Sequence, residues 1–357
     1  MNSLGNIFKV TSFGESHGSY VGCVIEGCPS NIKIDIEKIQ IAVDKRKTAQ
    51  NDFASARKEL DKVEIISGIF ESKTLGSPIA ILIKNNDAKH NDYDELKDVF
   101  RPSHADYTTQ QKYQHRDHRG GGRSSIRITA PMVASGEIAM QIIQQFYNVE
   151  ILTFVHLIGN ISMAKNSIIH KKNIEKSPVY CPCEKTTNKI LSLLEETKKE
   201  GDTLGGGITC IIKNMPVGIG EPLFGKLQAQ LAHAMLSINT VKAFEYGSGF
   251  ASAMMKGSEH NDEFEMIDNK VHIKTNHDGG IQGGISNGME IDFSVFLKPI
   301  SSIQTTQKTV NSNLENTDIL IKGRHDVCAV PRATSIVQAY TQLVLVDLIL
   351  QNKIFKL

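Results

Sequence analysis

The sequence of 357 residues predicts a fold of mixed helices and sheets, either α+β or α/β. Short β-branched runs bounded by Gly, Ser, Pro or Asn are typical of strands. Longer segments with apolar residues at helical spacing are typical of helices. Both kinds of segment alternate along the whole chain, and no sequence repeat or low-complexity linker separates them.

The predicted strands lie in both halves of the chain. In the first half they cover residues 7–13, 63–70 and 79–84, and in the second half 208–213 and 290–297. The last of these, EIDFSVFL, alternates strictly between apolar and polar residues, which indicates a strand with one wet face.

Helices are predicted between these strands, and several have recognisable ends. DIEKIQIAVDKRK has Asp35 as a candidate N-cap. The helix over 130–147 has Thr129 as a candidate cap, and Pro131 fits it only within the first turn. Three more helices are predicted over 184–200 with a stop at Gly201, over 224–239 and over 331–351. The polar segment 160–186 is the best candidate for an exposed insertion.

Composition excludes several classes of protein. Lys and Arg number 40 and Asp and Glu 39, so no global charge favours nucleic acid or a membrane surface as a partner. The six cysteines form no CxxC motif, which is typical of reduced thiols in the cytoplasm. MNSLGNIFKV does not have the pattern of an export signal, and the apolar run YTQLVLVDLILQ is short and contains Asp347. We therefore expect a cytoplasmic protein without a membrane span.

Positive charge is concentrated in one segment of this otherwise nearly neutral chain. Residues 101–127 contain five arginines, and three sites combine histidine with glycine, arginine or aspartate: His17 in FGESHG, His104 in RPSHAD, and His325 with Asp326 in KGRHD. A metal-dependent phosphatase could use such histidines and carboxylates, but the interleaved guanidinium groups would repel a divalent cation. Arginine with histidine, and the glycine run GGGRSS, instead favour a bound phosphate or carboxylate. Taken alone, GGGRSS is a weak signal.

Seven motifs, taken together, resemble those of chorismate synthase in order and spacing over nearly the whole chain. They are FGESHG, RPSHADYTTQQKY, HRGGGRSSIR, HAMLSINTVKAFEYGSGF, NHDGGIQGGISNG, KPISSI and KGRHDVCAVPRA. The resemblance implies anti-1,4 elimination of phosphate and a ring proton from 5-enolpyruvylshikimate 3-phosphate, giving chorismate, with reduced FMN required but no net redox change. It also implies a single α+β domain with a β-α-β sandwich core, internal pseudo-twofold organisation and a homotetrameric assembly.

The resemblance also implies roles for individual residues. His17 would be the acid that assists phosphate departure, His104 the partner that protonates or stabilises reduced flavin, and Asp326 the carboxylate that tunes proton transfer there. The substrate-binding set is Arg46, Arg57, Arg101, Arg127 and Arg332. The FMN-binding set is Arg123, Ser124, Ser125, Asn239, Thr240, Gly283, Lys298, Pro299, Ile300, Ser301, Ser302 and Arg324. No metal is implied.

The chain departs from the family pattern at a few positions. KRKTA, which begins at Lys45, replaces an arginine-rich run, Asp52 replaces an arginine, and Ile128 stands where glutamate is usual. The first two put a contact to substrate or to a pyridine nucleotide in doubt, and an FMN-binding protein without elimination activity is the alternative they leave open. NADPH is a candidate indirect reductant, acting through a separate flavin reductase. Arg116, His118 and Arg119 have no predicted role.

Overall fold

Two five-stranded antiparallel sheets enclose a layer of helices in the computed structural model, which describes residues 2–47, 61–85, 96–164, 167–321 and 326–354. The first-half strands are β1 (Ser3–Leu4), β2 (Lys9–Gly14), β3 (Tyr20–Glu26), β4 (Val63–Ser67), β5 (Ile69–Phe70), β6 (Lys73–Thr74) and β7 (Ile79–Lys84). The first sheet has the order β1-β2-β3-β7-β4, and β5 pairs with β6 in a separate hairpin.

The second sheet has the order β11-β16-β10-β8-β9, and three small hairpins extend from this half. Its strands are β8 (Glu150–Ile158), β9 (Ile161–Ser162), β10 (Gly206–Lys213), β11 (Val241–Tyr246) and β16 (Ile291–Leu297). The hairpins are β12 (Phe264–Ile267) with β13 (Lys270–Ile273), β14 (Ile281–Gln282) with β15 (Ile285–Ser286), and β17 (Gln307–Val310) with β18 (Asn316–Ile319).

Eight α-helices connect or separate these strands in the described part of the chain. They are α1 (Ile36–Lys45), α2 (Asp106–Tyr113), α3 (Thr129–Ile143), α4 (Lys171–Lys176), α5 (Glu184–Glu200), α6 (Leu227–Leu236), α7 (Gly257–His260) and α8 (Val330–Ile354). Short 3-10 helices cover Gly122–Ser124, Ile126–Ile128 and Gly249–Met254.

Helices α3 and α8 form the centre of the molecule. α3 packs on β2, β3 and β7 of the first sheet, α8 packs on β8 and β10 of the second, and the two helices pack on each other. At their crossing, a Cβ on Gly136 would lie 2.7 Å from the Ala339 Cα, so glycine is what permits the close approach. The predicted β-α-β sandwich is confirmed, and each half consists of one five-stranded antiparallel sheet that carries one long helix.

The apolar C-terminal helix belongs to this core. α8 is long and apolar enough to cross a membrane, but 89% of its apolar window is buried inside the protein. Its one acidic core residue, Asp347, accepts backbone N–H bonds from Asn6, Ile7 and Phe8 at 3.0, 2.7 and 2.9 Å. The carboxylate therefore fastens the N-terminal segment to the helix and satisfies the buried N–H of Phe8, which would otherwise have no partner from this segment's own strand.

The predicted element ends are mostly confirmed. Asp35 caps α1 by accepting the N–H groups of residues 37 and 38, and Gly201 ends α5 in the left-handed conformation, with a φ of 70°. Pro131 lies in the first turn of α3 as required. The capping role of Thr129 was wrong: Ile128 occupies the N-cap, and the Thr129 hydroxyl donates to the Ile126 carbonyl at 2.6 Å.

Other elements differ from the prediction. The helix expected over 224–239 is shorter, Leu227–Leu236, and β3, β8, β11 and α2 were not predicted. Segment 160–186 contains β9 and α4, and Val179 and Cys181 in it are buried in the core. Its status as an insertion, like the single-domain organisation, stays a prediction.

Candidate active site

His17 lies in the turn between β2 and β3, at the edge of the first sheet. Its ring is buried, and Nδ1 lies 3.0 Å from the Ser16 Oγ. Gly120 packs directly against the ring: a Cβ there would lie 2.3 Å from the His17 Cε1, and the φ of Gly120 is +78°. Only glycine satisfies both conditions, so the GGG run provides a close approach to the histidine.

Asn85, which follows β7, holds the His17 turn from the other side. Its Nδ2 donates to the carbonyls of Glu15 and Gly18 at 3.1 and 2.7 Å. Its Oδ1 accepts a 2.7 Å bond from the Arg127 Nε. This one amide therefore connects the His17 turn to a predicted substrate-binding arginine.

Asp106, the first residue of α2, is the centre of a buried charged cluster. Arg101 donates to it through Nε at 2.7 Å and Nη2 at 2.8 Å, which is a two-pronged ion pair. His104 Nδ1 lies 2.9 Å from the Asp106 Oδ1, and Arg116 Nη1 lies 3.3 Å from the same oxygen. Arg101 Nη2 also donates to the Gly120 carbonyl at 2.9 Å, so the cluster reaches the residue that packs on His17.

The electrostatics of Asp106 follow from these contacts. Burial alone would raise the pKa of its carboxyl, but the hydrogen bonds from Arg101 and His104 outweigh burial and hold the pKa well below its usual range. The carboxylate stays charged and fixes the ring of His104 and the guanidinium of Arg101.

Asp61 organises a second cluster on the other side of the His17 turn. Its carboxylate accepts from Arg46 Nη2 at 3.0 Å and from Arg127 Nη1. Arg127 also donates to the Lys84 carbonyl at 3.0 Å. Burial opposes ionisation of Asp61, but the two guanidinium groups lower its pKa overall.

Arg332 and Asp326 complete the second cluster from the start of α8. Arg332 Nη1 donates to the Asp326 Oδ2 at 2.6 Å. Burial and the nearby charges of Arg332 and Arg127 outweigh the attraction of Asp61 and together lower the pKa of Arg46 to about 10. The buried Nε atoms of Arg46 and Arg332 have no hydrogen-bond partner among the described residues.

The two clusters together carry excess positive charge. Five guanidinium groups, on Arg46, Arg101, Arg116, Arg127 and Arg332, share three carboxylates, on Asp61, Asp106 and Asp326. Buried donors without partners beside such a surplus are typical of a site for a multiply charged anion. Within the described ranges, no group of three or more His, Cys, Asp or Glu side chains is arranged to hold a metal ion.

Several predicted FMN-binding residues lie next to the first cluster. Asn239 Nδ2 donates to the Ser124 carbonyl at 2.7 Å, which joins the two halves of the molecule. The Lys298 backbone N–H donates to the Thr240 carbonyl at 3.0 Å, and its Nζ donates to the Ser103 carbonyl at 3.0 Å. Lys298 therefore reaches the residue before His104.

The other predicted FMN-binding residues lie in several different parts of the fold. Arg123 donates to the Gly14 carbonyl at 3.1 Å and to the hydroxyl and carbonyl of Ser12, both at 3.2 Å. Ser125 accepts the Arg127 N–H at 3.2 Å. Gly283 lies in the β14–β15 turn, beside the start of α6 and so at the opposite end of that helix from Asn239. Pro299 is exposed, Ile300 and Ser301 are half-buried, and Ser302 is buried. Arg57 and Arg324, like His325 and Asp52, lie outside the described residues.

Sequence reasoning missed Asp61, Asn85 and Asp106, which orient the predicted residues. Asp106 follows His104 by two positions at a helix start, and this spacing was a usable signal. Arg116 now has a structural role, because its Nη2 donates to the carbonyls of residues 96, 97 and 99 at 3.1, 2.7 and 3.3 Å. Arg119 forms an exposed ion pair with Asp117 at 2.8 Å. The hydrogen bond from Arg119 lowers the pKa of Asp117, and the charge of His118 adds to this effect.

Comparisons with known proteins identify the family of this chain. A model of the family described as chorismate synthase matches residues 8–350. The chorismate synthase of Christiangramia forsetii is 49% identical over 357 residues, covering 100% of this chain and 99% of the relative. That of Azobacteroides pseudotrichonymphae is 48% identical over 354 residues, covering 99% and 100%.

A solved structure gives the same result for the fold. A crystal structure of chorismate synthase superimposes with a TM-score of 0.77 at 27% identity, covering 98% of this chain and 93% of that one. The comparisons do not support an FMN-binding protein without elimination activity or a metal-dependent phosphatase. The fold and the full-length matches together establish that the chain belongs to the chorismate synthase family and is a lyase of the shikimate pathway.

Proposed function

We propose that the two arginine clusters and the two histidines carry out the family's reaction in this chain, the anti-1,4 elimination of phosphate and a ring proton from 5-enolpyruvylshikimate 3-phosphate to give chorismate. The observation that carries this proposal is the set of five guanidinium groups that share three carboxylates. The substrate has a phosphate and two carboxylates, and such anionic groups are what a surplus of guanidinium charge attracts.

The arginines bind and orient the substrate anions. Arg46, Arg127 and Arg332 lie within one electrostatic cluster, and the unpartnered Nε atoms of Arg46 and Arg332 supply donors for a carboxylate or phosphate. Arg101 belongs to the other cluster, next to Gly120 and His17. Fixed donors on both sides hold the substrate in one orientation, which lowers the barrier by positioning. Arg57 belongs to the same proposed set.

The histidines control protons at the two ends of this site. His17 holds a proton for the departing phosphate oxygen, and its packing against Gly120 fixes the ring. His104 holds a proton beside Lys298, since Asp106 fixes its Nδ1. Asp326, bound to Arg332, is the third proton-controlling group. The assignment of His17 as acid for the phosphate comes from the family resemblance, and its packing against Gly120, whose carbonyl accepts from Arg101, supports it.

The residues around Lys298 fit a phosphate-bearing flavin. Burial lowers the pKa of Lys298, and the charge of Lys242 adds to the effect, so an anion beside this cation would be stabilised. Gly283 lies in an exposed turn away from Lys298, and a Cβ on it would meet no atom within 4 Å. Reduced FMN, when bound, supplies transient electron density as phosphate leaves. Its proposed contacts are Arg123, Ser124, Ser125, Asn239, Thr240, Gly283, residues 298–302 and Arg324.

One anaerobic assay, run with two reductants, tests the proposal. The purified protein with dithionite-reduced FMN should release phosphate and form chorismate from 5-enolpyruvylshikimate 3-phosphate. Absence of phosphate release would refute it. With FMN and NADPH alone, we expect no turnover until a flavin reductase is added, because NADPH is proposed as an indirect reductant. Turnover with NADPH alone would show that the chain reduces its own flavin.

The proposed assembly is a homotetramer in the cytoplasm. Apolar side chains on the β12–β13 hairpin support an assembly, since Phe264, Met266 and Val271 are 63%, 67% and 64% exposed in the single chain. The six free cysteines support a reducing compartment. Light scattering after gel filtration should give four chains per particle. A monomer would rule out the assembly.

A further inference from the structure

A cavity beside α1 is lined by none of the residues of the Asp61 and Asp106 clusters. It has a volume of 590 Å³, within the range of small-molecule sites. α1, α3 and α8 form its walls, together with the start of β8. The wall helix α1 ends at Lys45, directly before Arg46 of the second cluster.

Part of the lining of this cavity is apolar. Val133, Met140, Val149, Ile151 and Ala339 line it, and each is at most 9% exposed. On the rim, the side chain of Ile41 is 55% exposed. This surface suits an apolar group of a ligand.

The mouth carries charges of both signs. Lys38 and Lys45 come from α1, and their spacing of seven residues puts them on the same face, two turns apart. Lys171 and Glu150 add one charge of each sign.

Glu137 of α3 is the carboxylate inside this mouth. Its Oε1 receives a long 3.4 Å bond from the Gln141 Nε2. Burial raises the pKa of Glu137, and the bond from Gln141 and the fields of Lys38 and Lys45 offset this only partly. A ligand cation at this position would relieve the desolvation of the carboxylate.

We infer that this cavity binds an α-amino acid with an apolar side chain. The ammonium of the ligand would contact Glu137, and its carboxylate would contact Lys38 and Lys45. Its side chain would contact the apolar residues of the lining. A simple anion would be repelled by Glu137, and a simple cation by the lysines, so a zwitterion is the charge pattern that satisfies both.

Calorimetric titration of the full-length protein without flavin tests this site. The probe is L-phenylalanine up to about 10 mM, and the comparison ligands are 3-phenylpropionate, which lacks the ammonium, and 2-phenylethylamine, which lacks the carboxylate. We expect L-phenylalanine to bind at least about tenfold more tightly than either, the usual scale for a lost charge-assisted contact. No binding, or equal binding of an analogue, would overturn the inference.

Two variants and a control assign the contacts. Glu137→Gln should weaken L-phenylalanine binding about tenfold or more without weakening 3-phenylpropionate, and Lys38→Gln should weaken both. Glu195→Gln makes the same chemical change on the exposed face of α5 and should alter neither. Equal effects of Glu137→Gln and Glu195→Gln would place the amino acid elsewhere and refute the site. Thermal melts of each variant confirm that it is folded.

Discussion

Replacing Asp106 by asparagine removes the charge that holds one side of the proposed active site. The carboxylate receives two bonds from the Arg101 side chain and one contact from His104, and it is 5% exposed. Asparagine has nearly the same volume, but its amide nitrogen would face a guanidinium or imidazole donor. The change therefore leaves buried cations without their counter-charge.

The magnitude follows from the burial of the pair. Breaking a buried ion pair by removing one partner costs about 3–5 kcal/mol. For a chain of 357 residues the unfolding entropy is about 0.75 kcal/mol/K. The melting temperature of Asp106→Asn should therefore fall by about 4–7 °C. Turnover should fall by roughly 10²-fold or more, because His104 and Arg101 lose their fixed positions.

The control is Asp117→Asn, which makes the same change in the same segment. Asp117 pairs with Arg119 at the surface, so its loss should leave both the melting temperature and turnover unchanged. Differential scanning calorimetry and the anaerobic phosphate-release assay supply the two measurements. An Asp106→Asn protein with unchanged melting temperature and turnover would show that Asp106 does not position the site.

Three further predictions concern other parts of the molecule. His17→Ala and His104→Ala should each lower turnover by roughly 10²-fold while changing the flavin dissociation constant less; normal turnover in both would refute their roles. Asp347→Asn should lower the free energy of unfolding by about 3 kcal/mol, because the carboxylate accepts three N–H bonds, one of them buried and two partly buried; an unchanged calorimetric melt would count against this clamp. The folded-state pKa values of Asp61 and Asp106 are lowered, so their stabilisation is complete above the unfolded value of about 3.9 and is lost as pH falls below it. Melts between about pH 5 and pH 3 should show this loss, with a smaller slope in Asp106→Asn; equal slopes would contradict it.

Local chemistry explains which parts of the fold could be predicted from the sequence. Asp35 and Gly201 mark helix ends through contacts within a few residues, so their signals are contained in the sequence. β3 and β8 were missed because both lie inside sheets and lack the polar alternation of an exposed strand. Sheet order depends on pairing between distant segments, which periodicity cannot supply.

The residues of the candidate site also fall into two groups, those that local motifs predict and those that only long-range contacts define. His17, His104 and the arginines stand in distinctive motifs. Asp61 stands in the charged run KELDKVE, where nothing in the local sequence distinguishes it from the neighbouring carboxylates. Its partner Arg127 is 66 residues away, and Asn85 is 42 residues from the same arginine. Residues that orient catalytic groups are defined by such long-range contacts, so a single sequence does not reveal them.

The free-energy cost of burying the charged arginine clusters links the stability of this protein to its proposed ligands. Burial and neighbouring cations lower the pKa of Arg46 to about 10, which means that the folded state disfavours its charged form relative to water. The apolar layer of α3 and α8 provides the compensating stability, since its side chains are almost entirely buried. In the proposed site, a phosphate or carboxylate would offset the surplus charge directly, and the free energy released there would be available for holding the substrate in the reactive orientation. The electrostatic cost of burying the clusters is therefore what would make the proposed site selective for multiply charged anions.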